Sequence, residues 1–594
     1  MTLSARSPWR NYVPLLPAGL LLGFLFVLPV TLILRQSFVG TDGAWSSAHY
    51  ARLFQTASYA DTLLTTLRIA SWTAVLSVLL AYPLAYLLAR AGASTTRVLT
   101  LAILVPYWAG VLVRTFAWMV LLGRRGPVNT MLVDAGIVDG PVRFLYNPAG
   151  VMVGMTNAYV PIAVLVMVSV MRSIDGRLPV VAATLGAGTA QGFWRIYFPL
   201  SMPGVAAALL LIFISSLGTF ITPALLGSGR EVMIAQVIID QVDQVLNWGF
   251  AGAISLLLLV TTLLVYGLFH VLFGASSLTG QQAGLSPSPL RNLTGRLGRT
   301  VVNALGTASD GIERLFAALW PRRIGRAGSL SPLSRILAGL VLLFLLAPIL
   351  LIIPISFTGS NFIDWPPRNW SLRWYQLVLT SEQWTGPALR SFVVAASSAV
   401  LSVAIGLPAA MALSGARLRA RAAILALILA PMIVPHILIA VALFFAFAKV
   451  GLVGTTLGLV LGHTVLCLPY VVVTLMAVFA AYDHRLDQAA DTLGASTWQR
   501  LRHVTIPLIR PGILAGLLIA FVTSFEELTV SMFLSGGLSA TLPKQLWTEM
   551  LMAVSPALAA ITCLMLAVVL VVTVAIFVFR RDGTSGSSST LGAH

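Results

Sequence analysis

Two adjacent glutamates, Glu526 and Glu527, lie in an apolar run near 512–535, and Arg114 lies in another near 98–122. A charged side chain inside a membrane span costs about 2.5–3.5 kcal/mol on insertion scales, so such residues are usually functional. A carboxylate on the path of a solute can bind or steer a cation. We therefore expect Glu526 or Glu527 to meet a cationic substrate; the alternative is an internal ion pair with Arg114.

Other polar residues are weaker candidates. Asp240 and Asp243 precede a later apolar run, in a segment expected on the outer side, where a cation or a partner protein could meet them; a solvated loop face is the alternative. His436 and His463 lie in apolar runs, too far apart in sequence to indicate a metal pair. No set of nucleophile, base and orienting group is readable, so the sequence predicts no catalytic residue, no metal site and no enzyme.

Two polar loops repeat one pattern: VVAATLGAGTAQGFWRIYFPLSMPG from Val180 and QAADTLGASTWQRLRHVTIPLIRPG from Gln488. In each, small residues lead to a glycine, nine residues separate it from an Ile or Val, and a proline stands three positions further on. We expect a short helix, a turn at the glycine, and a second short helix that the proline ends. The residues of the pattern are Ala182, Ala183, Gly186, Ile196 and Pro199, and then Ala489, Ala490, Gly494, Val504 and Pro507.

Membrane helices must position these residues. The chain has 594 residues, of which 58% are hydrophobic and 9% charged. Soluble proteins carry about 25% charged residues, and disordered chains carry few apolar ones, so both classes are excluded. Apolar runs of about 20 residues predict an all-α polytopic protein with twelve spans. They lie near 12–36, 62–89, 98–122, 149–171, 204–228, 249–273, 333–357, 387–412, 422–448, 457–480, 512–535 and 556–579.

The basic excess indicates the orientation. The formal net charge of +18 would suggest a nucleic acid partner in a soluble protein. Here the excess lies almost wholly on one side of the predicted spans, and Lys and Arg favour the cytoplasmic side. We therefore expect both termini in the cytoplasm, contact with the lipid bilayer, and no nucleic acid partner.

The two halves of the chain repeat each other. Pro161 and Asp175 recur 308 positions later as Pro469 and Asp483, and upstream the offset becomes 325. Six spans per copy is an even number, so the copies run in the same direction as a parallel repeat. The predicted organisation is a first unit at 1–273, a cytoplasmic linker at 274–332, a second unit at 333–580 and a cytoplasmic tail at 581–594.

The repeated loops resemble the EAA loop of ABC-importer permeases, which reads EAA, three residues, Gly, nine residues, I-x-LP. Val180 and Gln488 stand where that family has its glutamate. The resemblance extends to LVPYWAGVLVRTFAWMVLLGRRGPVN in the first half and to SFEELTVSMFLSG in the second, which are similar to the two permeases of spermidine/putrescine importers. It implies a fused pair of permeases with the type I ABC importer fold, located in the bacterial inner membrane.

The resemblance also implies partners. Two ATP-binding cassette subunits would dock on the two loops, and a periplasmic binding protein would deliver substrate to the outer face. The chain has no GxxxxGK[ST] motif. We therefore expect that it binds no cofactor itself, and that ATP and Mg act in the partner ATPase. Ferric iron, thiamine or a phosphonate remain alternatives to a polyamine, and an ion-coupled secondary transporter is the alternative class.

Overall fold

The computed structural model describes residues 12–40, 42–185, 191–273, 332–367, 369–415 and 418–585. The predicted linker lies almost wholly outside these residues, and so does most of the predicted tail. The regular structure of the described part is helical, apart from two isolated β-bridges, Val39–Trp45 and Thr358–Trp370. Ten of its helices are long and apolar enough to cross a membrane, and counting two bent pairs as one span each gives twelve.

We number the spans 1 to 12 in chain order. Spans 1 to 6 are Val13–Gln36, Ala57–Arg90, the bent pair Ala93–Trp108 and Val111–Asp134, Pro148–Met171, Gly192–Leu217 and Trp248–Phe269. Spans 7 to 12 are Ser334–Ser356, Glu382–Gly415, the bent pair Arg421–Ile433 and His436–Lys449, Thr456–Ala480, Thr497–Phe525 and Pro556–Ala575. Short helices between them are Ala48–Gln55, Leu178–Thr184, Ile221–Leu226, Ile234–Asp243, Arg373–Thr380, Arg485–Thr492, Thr529–Leu534 and Leu542–Met552.

Spans 3 and 9 are broken, whereas the sequence predicted continuous helices there. The two parts of span 3 meet at 91° and those of span 9 at 97°. In span 3 Gly110 leaves the helical conformation, with ψ 153°. In span 9 Val434 is extended, with ψ 130°, because the ring of the following Pro435 disfavours the helical conformation of the residue before it. Hydropathy reports only that the run is apolar, so it does not detect either break.

Spans 5 and 11 begin and end earlier than predicted. They start at Gly192 and Thr497 and end at Leu217 and Phe525, and each is followed by a separate short helix. Glu526 is the C-cap residue that follows span 11. The sequence had predicted that the two glutamates lie inside a membrane helix. The structure places them in a turn after the span instead.

The prolines of the two repeated loops do not end a helix, so that expectation was wrong. A π-helical turn at Gly192–Tyr197 precedes Pro199, another at Leu501–Thr505 precedes Pro507, and the helix continues beyond both. A proline inside an α-helix loses one hydrogen bond and clashes with the carbonyl four residues back. A π turn shifts the hydrogen-bonding register just before each of these two prolines.

The structure repeats in detail between the halves. The hydroxyl oxygens of Ser37 and Tyr50 lie 2.6 Å apart, and so do those of the equivalent Ser356 and Tyr375. The first span of each half packs against the opposite half: span 1 contacts span 9, and span 7 contacts spans 2 and 3. The largest buried apolar cluster draws on both halves, which therefore form one packed body.

Candidate translocation site and coupling loops

The break in each bent span packs against the end of a span in the opposite half. A Cβ atom on Gly110 would lie 3.1 Å from Cδ of Glu526, and one on Gly218 would lie 3.1 Å from Cβ of Pro435. Gly110 and Pro435 are 325 positions apart, and Gly218 and Glu526 are 308 apart, which are the offsets of the sequence repeat. The two contacts are therefore equivalent, and both join the halves at the level of the breaks.

The side chain of Glu526 in the second half bonds to the backbone of the first half. Its Oε1 accepts a hydrogen bond of 2.7 Å from the backbone N–H of Gly110, the N-cap residue of the helix that starts at Val111. The carboxylate thus lies at the positive end of that helix. Glu526 is partly exposed, and Tyr107 lies within electrostatic range of it. A carboxylate at a partly exposed position can pair with a cation.

Glu527 points into its own half. Its carboxylate accepts hydrogen bonds from the backbone N–H groups of Val530, at 2.9 Å, and Ser531, at 3.1 Å, and so caps the helix Thr529–Leu534. The side chain is buried, and Nε2 of His463 lies 3.7 Å from it. The structure therefore separates the two glutamates: Glu526 is partly exposed and bonds to the opposite half, whereas Glu527 is buried and holds a helix end.

Arg114 is buried in span 3, and its Nη1 donates to the carbonyl oxygen of Ala158 in span 4 at 2.9 Å. Its Nε has no hydrogen-bond partner. Among the described residues no ion pair joins Arg114 to Glu526 or Glu527. The direct ion pair that the sequence analysis gave as the alternative to a substrate contact is therefore not present. The guanidinium attracts Glu526 at longer range.

Asp240 and Asp243 are exposed on the helix Ile234–Asp243, just before span 6. Asp243 borders a cavity of about 500 Å³ whose other lining residues all belong to the second half. Burial raises the pKa of the Asp243 carboxyl, and the nearby charge of Lys544 opposes that shift. The aromatic lining residues of the cavity are Phe444, Phe533 and Trp547.

Lys544 borders the same cavity. Its Nζ donates to the carbonyl oxygens of Met532, at 3.1 Å, and Ser535, at 2.6 Å, at the C-terminal end of the helix Thr529–Leu534. Because Glu527 caps the N-terminal end, this short helix has an acid at its positive end and a base at its negative end. Residue 236, the equivalent of Lys544 in the first half, is a glutamine.

The second repeated loop is held by polar contacts. After the helix Arg485–Thr492, Gly494 takes φ +81°, and the helix of span 11 begins at Thr497. Nη1 of Arg500 lies 2.7 Å from both carboxylate oxygens of Asp491. The Tyr482 hydroxyl donates to Oδ1 of Asp487 at 2.8 Å, and the Thr505 hydroxyl donates to it at 3.2 Å. Ala490 is buried beneath the turn.

The first loop is held differently. Its helix Leu178–Thr184 places Ala182 in a buried position, whereas Gly186 lies outside the described residues. The guanidinium of Arg90 lies over the rings of Tyr86, at 4.8 Å, and Tyr197, at 5.0 Å. Aromatic packing here takes the place of the ion pairs in the second loop.

A family match decides the class of the protein. The family described as "Binding-protein-dependent transport system inner membrane component" matches residues 77–274 and again residues 402–582. The chain belongs to this family. It carries the family unit twice, which confirms the predicted duplication and the all-α fold of two parallel six-span repeats. It is therefore a multi-pass transport permease of the inner membrane, not an enzyme, and its family works with a binding protein.

Two kinds of curated permease are similar to this chain. A "Spermidine/putrescine transport system permease protein PotB" of Haemophilus influenzae is 31% identical over 268 residues, covering 44% of this chain and 92% of the relative. A "Spermidine/putrescine transport system permease protein PotC" of Escherichia coli is 31% identical over 246 residues, covering 41% of this chain and 92% of the relative. Each relative thus matches slightly less than half of this chain, as expected for a chain with two permease units.

Solved structures add little. A chain of a bacterial alginate ABC transporter, crystallised with an alginate-bound periplasmic protein, is 19% identical with a TM-score of 0.40, and the match covers 47% of this chain and 96% of that chain. A score this low does not by itself establish a shared fold. The family match carries the assignment.

Sequence reasoning missed the bond between Gly110 and Glu526 and the role of Lys544. The first joins residues far apart in the chain, and no local pattern marks it. The second had a signal: Lys449 and Lys544 are the only lysines in a chain whose other basic residues are arginines. Arg has a wide planar head, whereas the compact ammonium of Lys suits two converging carbonyl oxygens.

Proposed function

We propose that this chain forms the whole translocation path of an ATP-driven importer for a polyamine such as spermidine or putrescine. The observation that carries the proposal is the match to both kinds of spermidine/putrescine permease, at 31% identity and over 92% of each relative. The Glu526 carboxylate between the halves has the charge that an ammonium group requires. Asp240 and Asp243, on the outer side, would attract the cation before it reaches Glu526.

Two ATPase subunits would couple to the chain through the repeated loops. The loops contain Ala182, Ala183, Gly186, Ile196 and Pro199 in the first half and Ala489, Ala490, Gly494, Val504 and Pro507 in the second. ATP with Mg would close the two ATPases on each other, the loops would move with them, and the path between the halves would open to the outer side. Both chain termini would lie in the cytoplasm, and the binding protein would dock outside.

Polyamine uptake tests this proposal. Cells that express the chain with its ATPase and binding protein should take up labelled putrescine, and unlabelled spermidine should compete. Uptake should stop when ATP is depleted and persist when the proton gradient alone is collapsed. Competition by thiamine, ferric iron or a phosphonate instead would contradict the polyamine assignment, and dependence on the gradient alone would indicate a secondary transporter.

A further inference from the structure

Glu526 makes the one described hydrogen bond between the broken span 3 and the end of span 11. We propose that this bond to Gly110 is a latch that holds the two halves together across the path. An ammonium group of the substrate releases the latch by taking the carboxylate. The release step rests on the proposed function, whereas the latch itself does not depend on the identity of the substrate.

The latch gains strength because its acceptor is a carboxyl group at a helix N-terminus, and the positive end of that helix favours the ionised form. Hydrogen bonds to a carboxylate are about twice as strong as those between neutral groups. The helix that starts at Val111 adds the attraction of its positive end. A side chain at residue 110 would crowd this approach, since a Cβ atom there would lie 3.1 Å from both Cδ and Oε2 of Glu526.

The equivalent contact in the other half has no latch. There Pro435 replaces Gly110 and has no N–H to donate, and Gly218 replaces Glu526 and has no side chain. The two residues still pack closely, with 3.1 Å between Cβ of Pro435 and a Cβ atom built on Gly218. The chain therefore has one bonded contact and one purely steric contact at equivalent positions, and the second is a natural control for the first.

The turn that carries Glu526 is firmly fixed, so its carboxylate has a set position. The next residue, Glu527, is bonded to Val530 and Ser531, and Lys544 holds the far end of the same short helix. Opening therefore requires the Val111 helix to move away from Glu526, because the turn cannot follow it. The latch thus reports on the relative position of the two halves.

The release step is an exchange of donors. Glu526 is partly exposed, so an ammonium group can reach it. The ammonium offers a full charge and three donors against one amide N–H. Once the carboxylate pairs with it, the N-terminus of the Val111 helix loses its cap and this contact between the halves weakens. Substrate arrival and separation of the halves are then coupled at one side chain.

ATP hydrolysis without substrate tests the latch in the complex purified with its ATPase subunits. Glu526→Ala removes the bond and should raise substrate-free hydrolysis about tenfold, the factor that corresponds to roughly 1.4 kcal/mol and lies at the low end for a bond to a charged group. Gly110→Ala crowds the carboxyl group and should raise substrate-free hydrolysis by a smaller factor. Glu526→Gln keeps an acceptor oxygen but loses the charge, so it should raise substrate-free hydrolysis less than Glu526→Ala does, and putrescine with its binding protein should no longer stimulate it. Gly218→Ala adds the same methyl group at the steric contact and should stay near the wild-type rate.

Several results would overturn the latch. One is an unchanged rate of substrate-free ATP hydrolysis in Glu526→Ala, and another is an equal rise of that rate in Gly218→Ala. The third is full stimulation of ATP hydrolysis by putrescine in Glu526→Gln. A chain that purifies without an ATPase contradicts the proposed function instead, and the latch is then read from thermal unfolding of the full chain. Glu526→Ala and Gly110→Ala should lower its stability non-additively, since the bond can be lost only once, and additive effects would overturn it.

Discussion

Two adjacent glutamates have different bonding partners because the helix ends beside them. The sequence identified both as charges in an apolar run, which was enough to mark them as functional. It could not assign a role to either, because adjacent residues point about 100° apart only within a helix, and span 11 ends at Phe525. The direction of each side chain is set by the turn and by its partners, which are Gly110 for Glu526 and Val530 for Glu527.

Glu527→Ala should destabilise the protein, whatever the substrate. It leaves two buried backbone N–H groups at the start of Thr529–Leu534 without their acceptor, at a cost of about 1–3 kcal/mol. Thermal unfolding of the purified chain should show the loss. The exposed Glu382 is the matched control, and Glu382→Ala should change stability by less than about 0.5 kcal/mol. Unchanged stability together with abolished uptake in Glu527→Ala would instead assign Glu527 to the substrate.

The repeated loops show which structural elements sequence spacing can predict. The glycine turn was predictable, because Gly494 takes a left-handed φ of +81° that L residues avoid. The continuation of the helix through Pro199 and Pro507 was not predictable, because no residue pattern in the sequence marks the π turns that precede them. The missing glutamates at Val180 and Gln488 were visible in the sequence, but the ion pairs of Arg500 and the aromatic packing of Arg90 were not.

Gly494→Ala should uncouple transport while the chain still inserts and folds. A Cβ atom there would meet open space, so the cost comes from the left-handed backbone alone, about 1–2 kcal/mol. That cost lowers the population of the loop conformation that binds the ATPase subunit by a factor of about 5–30. Polyamine uptake should fall accordingly.

Gly386 provides the control for Gly494. It lies inside the helix Glu382–Gly415, and a Cβ atom there also meets open space. Gly386→Ala should therefore leave uptake unchanged and slightly raise stability. Equal uptake in the two variants, at equal amounts of protein in the membrane, would contradict the role of the Gly494 turn.

The whole molecule is one permease made of two copies. The duplication and the twelve spans were predictable, because prolines and glycines recur in register and lipid demands long apolar runs. The packing of each first span against the opposite half was not predictable. It depends on contacts between residues far apart in the chain, such as the 2.8 Å hydrogen bond from Nδ2 of Asn157 to the carbonyl oxygen of Phe344. The breaks in spans 3 and 9 were missed because their backbone change is local and their composition remains apolar.

The composition of the purified complex tests most directly whether one chain supplies both halves of an ATP-driven permease. The chain should be purified from membranes together with whatever binds it, and its native mass measured. We expect one copy of this chain with two ATPase subunits and no second permease chain, because each half contributes one coupling loop. A complex with two copies of this chain, a second permease chain or no ATPase would contradict the account.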